Sequence, residues 1–260
     1  MLVENSKKKR LLDHLRVGLN SILGLGECMG KTKLDYSNSS IAFIGLLLIS
    51  FIAFWPTYYA IFFSSEFYIH FHAFFAVLWF GMLIIQPYLI KSRRLDLHRI
   101  IGRISYFIAP LVVISIVLLA NSRIKLAPKS FYPFQTYILY LQISLALIFA
   151  VTYGLAIYYR RTKPIHARFM VATSFTFIDP IFARILNIVA PTASWNNQMI
   201  TFMLVNLILI TLSILDRKNR KAKWVYPSLL VIYLVIELPI FFDLTSLAWW
   251  QSFAEWFASF

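Results

Sequence analysis

The sequence predicts an all-α polytopic membrane bundle of about seven spans, with its N-terminus inside and its C-terminus outside. Three observations predict it. The 260 residues are 60% hydrophobic and 17% aromatic but only 14% charged, far from a soluble globular balance. The apolar residues come in runs long enough to cross ~30 Å of hydrocarbon, which takes about 20 residues of helix. The excess of basic residues, a formal net charge of +14, falls between those runs rather than along one face of a soluble body, so topology accounts for it better than nucleic-acid binding does.

Residues 1–40 read as a cytoplasmic amphipathic tail. Leu11, Leu12, Leu15, Leu19, Ile22 and Leu23 recur at helical spacing opposite charged residues, a pattern suited to the inner membrane surface or to a cytoplasmic handle. The basic cluster from Lys7 to Arg10 is followed by mixed sequence and not by a short apolar core, so no signal peptide is expected and the first span should remain in the mature chain. The single cysteine, Cys28, excludes an internal disulfide and a cysteine-built zinc site.

The transmembrane domain is expected over 41–242, with spans at 41–63, 68–90, 100–120, 134–159, 166–190, 198–215 and 224–242. Short polar loops join them and leave no linker that would separate two domains. The tail and the loops at 91–103, 160–168 and 216–223 are strongly basic, and in a seven-span arrangement all four fall on one side. Residues 64–67 carry no basic residue and 191–198 carry no charge, whereas 121–130 holds Arg123, Lys125 and Lys129. Positive loops are retained in the cytoplasm, which sets the orientation and places the chain in a cell's inner (plasma) membrane. The lipid bilayer is therefore the expected partner, with other membrane proteins possible and nucleic acid excluded. Residues 243–260 form an outer interfacial segment in which Trp249, Trp250, Phe253, Trp256, Phe257 and Phe260 make an aromatic stripe at headgroup level.

Ionisable side chains inside a bilayer are costly and mark where function should be sought. Asp179, Arg184 and Glu237 lie well within apolar sequence, and His70 and His72 lie near the start of the second span. At ~1.5 Å per residue, Asp179 lies about 20 Å from the inner end of its helix, so these residues form an outer polar cluster that Asn187, Asn206 and Gln142 could share. It reads either as a pocket, with a metal held by His70, His72 and a carboxylate or with a proton path, or as a packing ion pair between Asp179 and Arg184 beside the kink at Pro180. Histidines two apart point to different helix faces, which weighs against a shared metal. The spans contain no lysine, so a retinal Schiff base is excluded.

The second constellation is cytoplasmic. His98 opens the third span in HRIIGR and His166 opens the fifth in HARFM, so two helices present a histidine at one depth beside arginines. Two imidazoles on facing helices can hold a haem iron from both sides, with Arg99, Arg103 or Arg168 pairing its propionates. In the alternative, both histidines are interfacial and the arginines are topology signals. Gly102, Ser105 and Ala109 lie behind His98 at a spacing that admits a neighbouring helix, and Gln86 could hydrogen-bond inside the bundle. No G-x-S-x-G, Walker loop or H-E-x-x-H is present.

The pairing of HRIIGR with HARFM, followed by Arg184, resembles an uncharacterised bacterial multi-pass family, a domain of unknown function with the pattern H-R-x-x-G-R, H-x-R-W-M and a later arginine. The likeness covers roughly 68–190, with Phe169 in place of the tryptophan. That family looks distantly similar to the di-haem cytochrome b group, which implies axial-ligand roles for His98 and His166 and haem b as cofactor. A second, outer histidine pair is not matched, since only the second span supplies outer histidines. Three readings follow: a haem-binding or redox protein, a non-enzymatic assembly factor or small-molecule carrier, and a metal-dependent hydrolase using the outer cluster.

Overall fold

The computed structural model describes residues 36–129, 132–191 and 194–260, and within them the chain is helical throughout. The amphipathic tail and Cys28 lie outside the described residues, apart from a 3-10 turn at Tyr36–Asn38. The α-helices are α1 (Ser39–Phe54), α2 (Phe67–Lys91), α3 (Leu95–Lys125), α4 (Tyr132–Tyr158), α5 (Lys163–Ala172), α6 (Phe175–Val189), α7 (Ser194–Asp216), α8 (Val225–Phe241) and α9 (Ala248–Ala258). Five segments are long and apolar enough to cross a membrane: α2, α3, α4, α5 with α6 as one rod, and residues Asn197–Asp216 of α7. Large apolar side chains such as Ile41, Phe107, Leu147, Met203 and Val235 stand exposed around the outside of the bundle. Water would penalise such a surface and hydrocarbon would not, which marks a membrane protein.

The first apolar run differs from its expected single span. Its α-helix stops at Phe54, and the chain continues through a 3-10 stretch at Tyr59–Ser64. Pro56 has no N–H to offer the carbonyl of Ile52, which accepts from Trp55 instead at 3.3 Å. At ~1.5 Å per residue, α1 covers only about 24 Å and α8 about 26 Å, both short of ~30 Å of hydrocarbon. The third run is longer than expected, 31 residues from Leu95 to Lys125.

The α5/α6 rod is central. Of its most apolar stretch 56% is buried, against 28–33% for the other four long segments. One core gathers α4, α5, α7 and α8 around Phe169, Leu209, Tyr226 and Leu229. A second joins α1, α2, α3, α4 and α6 around Trp79, Phe149 and Ile181. Trp79 is fully buried, meets Phe149 and Tyr153 edge-on at 5.0 and 5.4 Å, and donates its indole N–H to Thr173 Oγ1 at 3.1 Å. It thus pins α2 to the junction of α5 and α6.

At that junction the rod tightens without breaking. Thr173 and Ser174 keep helical backbone angles, and Ser174 N–H donates to the carbonyl of Val171, one residue short of the α-helical partner. The hydroxyls of Thr173, Ser174 and Thr176 each donate to the carbonyl three residues back, which competes with the backbone ladder.

Helix α9 docks on α3 and α4. Trp250 is buried and donates its indole N–H to the carbonyl of Thr136 at 3.0 Å, while Trp249, Trp256 and Phe260 face outward. The aromatic stripe therefore divides into an anchoring side, Trp250 with the partly buried Phe253 and Phe257, and an apolar outer face.

Candidate functional site

His98 and His166 stand at the same end of the bundle, each near the start of its helix. His98 sits one turn into α3 and His166 one turn into α5, both half-buried, and they are electrostatic neighbours. His166 Nδ1 lies 2.8 Å from the carbonyl of Ala156, so Nδ1 carries the proton and donates, leaving Nε2 with a free lone pair. This is how a ligating histidine is usually oriented, by a second hydrogen bond from its other nitrogen.

His98 is set against Gln86 of α2. The orientation of the Gln86 amide that satisfies every neighbour has its NH2 donating to His98 Nδ1 and its oxygen accepting from the N–H of Gly102 at 3.0 Å. In that arrangement the His98 proton resides on Nε2.

The three arginines of this end have separate fates. Arg99 pairs with Asp96 one turn back at 3.2 Å, both exposed, and Arg103 is exposed. Such an exposed pair contributes little. Arg168 is buried and is not open to a ligand. Its guanidinium makes a two-pronged ion pair with Asp216 at the end of α7, donates to the carbonyl of Pro164 at 2.6 Å, and lies over the ring of Tyr36 at 5.1 Å. Tyr36 in turn meets Tyr226 hydroxyl to hydroxyl at 2.8 Å. Burial pushes the Tyr36 hydroxyl above the usual tyrosine range, against the opposing pull of the Tyr226 hydrogen bond and of Arg168. Arg168 therefore ties three segments together: the turn before α1, α5 and α7. Asp216 escaped the sequence reading because it opens the basic run DRKNRKAK and looks like part of a solvated loop.

The residues expected to form an outer cluster each serve a different neighbour. His70 Nδ1 meets the Tyr58 hydroxyl at 3.0 Å, with its ring against Phe62. His72 Nδ1 meets Ser115 Oγ of α3 at 3.1 Å; that hydroxyl donates onward to the carbonyl of Val112, so His72 is the donor. The two histidines serve different neighbours, and among the described residues no three His, Cys, Asp or Glu side chains gather to hold a metal. Arg184 donates to the carbonyl of Pro180 at 3.0 Å and covers the Phe54 ring at 4.3 Å.

The packing ion pair between Asp179 and Arg184 does not form. Asp179 Oδ1 accepts from Gln198 Nε2 at 2.8 Å instead, and Arg184 acts on it only at longer range. Gln198 stands in the first turns of α7, at the boundary between the uncharged loop 191–198 and the expected span 198–215. Glu237 of α8 accepts from Asn206 Nδ2 at 2.7 Å.

Against known proteins, no family model, curated protein or solved structure matches this chain.

Proposed function

We propose that this chain is a seven-span protein of a cell's inner (plasma) membrane, N-terminus inside, and that its working centre is the pair His98 and His166 holding a haem. The short helices α1 and α8 supply the two further crossings, completed by the 3-10 stretch after α1 and by the residues flanking α8. The basic loops at 91–103, 160–168 and 216–223 support the orientation.

One observation carries the haem reading: two helices each place an imidazole at one end of the bundle, within electrostatic range of each other, and the bond of His166 Nδ1 to Ala156 leaves its Nε2 unprotonated. The donor set fits two-sided ligation on one condition, that the Gln86 amide turns its oxygen to His98 Nδ1. The proton then moves to Nδ1 and frees Nε2. Arg103, which is exposed, and Arg99, held only by its exposed pair with Asp96, are the side chains that would meet propionates, since Arg168 is committed to Asp216. A bound haem would supply one-electron chemistry at this end of the bundle.

The test is an absorption spectrum of purified protein. A Soret band that is lost in both His98→Ala and His166→Ala is expected; a folded, colourless, metal-free preparation refutes the reading. Epitope tags placed after the first and second spans should report opposite compartments.

A second reading is favoured by the settled hydrogen bonds themselves. His166 already bonds the Ala156 carbonyl and His98 already bonds Gln86, so both imidazoles serve packing without iron, as in a non-enzymatic carrier or assembly factor. Under it, His98→Ala leaves folding and cofactor content unchanged.

A further inference from the structure

At the end of the bundle opposite the histidine pair, an open cavity of about 320 Å³ lies between the start of α4, the turn after α8 and the start of α9. A space of that size takes a small molecule and not merely one ion. Part of its lining is aromatic, Phe134 and Tyr137 of α4, whose ring centres stand 6.0 Å apart. Asp243 and Ser246 of the turn and Gln251 of α9 supply polar lining. Helix α9 holds these walls in register. Gln251 donates its NH2 to Thr136 Oγ1 at 2.9 Å and to the carbonyl of Thr245 at 2.6 Å, and the neighbouring Trp250 holds the Thr136 carbonyl. The cavity is thus formed in advance of any ligand.

The polar groups left for a ligand share one sign. The Gln251 NH2 has spent both hydrogens, which leaves its amide oxygen. The Ser246 hydroxyl has spent its hydrogen on the carbonyl of Asp243, which leaves oxygen lone pairs. Asp243, exposed at the rim, adds a carboxylate that accepts no hydrogen bond and makes no ion pair among the described residues. Its backbone is left-handed, φ 50° and ψ 35°, where glycine would cost less, so neither packing nor backbone asks for a carboxylate here. No lysine, arginine or histidine lines the cavity. Oxygen acceptors and one negative charge beside aromatic rings match a cation that carries both N–H donors and a hydrocarbon stem. A metal ion has no stem to lay on the rings, and a quaternary ammonium has no N–H for the acceptors.

We propose that this cavity binds a primary ammonium group on a short carbon chain, its N–H donors on Asp243, Ser246 and Gln251 and its stem on Phe134 and Tyr137. The aminoethyl group of ethanolamine has this chemistry, either free in solution or as the headgroup of a phospholipid. The inference is independent of the haem reading, whose residues lie at the other end of the bundle.

The full chain in detergent is melted in ethanolamine hydrochloride against choline chloride at neutral pH and equal ionic strength. Wild type should show a saturable rise of roughly 3–6 °C at about ten times the dissociation constant, and choline a much smaller one. Asparagine tolerates left-handed backbone as aspartate does, so Asp243→Asn should melt like wild type without amine and bind ethanolamine about tenfold more weakly. Phe134→Leu should weaken binding about two- to fivefold, and it serves as the test should Asp243→Asn fail to fold. Native mass spectrometry of the chain reconstituted in equal phosphatidylethanolamine and phosphatidylglycerol separates the two sources. A headgroup site retains the ethanolamine lipid selectively and loses that preference in Asp243→Asn, whereas a soluble-amine site prefers neither lipid. The proposal is overturned if ethanolamine raises the melting temperature no more than choline and neither lipid is preferred, or if Asp243→Asn or Phe134→Leu binds as wild type does.

Discussion

Replacing Asp216 with alanine strands the Arg168 guanidinium in the bundle interior. The two side chains are 4% and 3% exposed, so neither has water to fall back on. Asp216 takes two of the hydrogen bonds of Arg168; Pro164 takes a third, and the Tyr36 ring covers one face. Removing one partner of such a pair typically costs ~3–5 kcal/mol, because the remaining charge keeps its desolvation penalty without compensation. At ~2–4 °C per kcal/mol for a chain near this length, Asp216→Ala should melt roughly 6–20 °C below wild type. The assay is thermal melting of detergent-solubilised protein followed by size-exclusion recovery. The double variant Arg168→Met, Asp216→Leu removes both charges at similar volume and should recover most of the loss. If Asp216→Ala melts within about 2 °C of wild type, the pair is hydrated in solution and the reasoning fails.

Two further changes test local features. Arg93 closes α2 with a left-handed φ of 59°, where Arg93 N–H donates to Ile90 and Arg94 N–H to Leu89 in the Schellman pattern that glycine usually serves. Arg93→Gly should therefore raise stability by about 1 kcal/mol, read as a higher melting temperature; a lower one would mean that the arginine side chain contributes more than its backbone costs. Thr173→Val keeps the shape but leaves the Trp79 indole N–H without its acceptor. It should cost about 1–3 kcal/mol and Thr173→Ser much less, as equilibrium unfolding would report.

Helical class and element order were legible because apolar runs of spanning length have few other uses. The ends of those runs were less so. Pro56 ends α1 inside a stretch that hydropathy reads as continuous, since Tyr58, Tyr59 and Phe62 are as apolar as a helix would require. Of the candidate sites, the position of His98 and His166 near helix starts was readable from the apolar runs that follow them. The partner of Arg168 was not, because Asp216 lies 48 residues away among lysines and arginines, where sequence spacing carries no distance information. The same limit applied to Asp179. Arg184, close in sequence, was the obvious counterion, yet a side chain five residues along a helix sits more than a full turn away, and Gln198 from the next helix reached the carboxylate first.

The tightened junction at Thr173 and Ser174 divides one rod into two halves. His166 rides on the half toward the basic end, and Asp179, bound to Gln198, rides on the other. Pro180 leaves the Thr176 carbonyl without its usual helical donor, so the far half starts from a ladder already short of bonds. A rod with its ladder tightened at the midpoint and gripped there by Trp79 bends most cheaply at that point, and the hydrogen bond to α2 fixes where the bend falls.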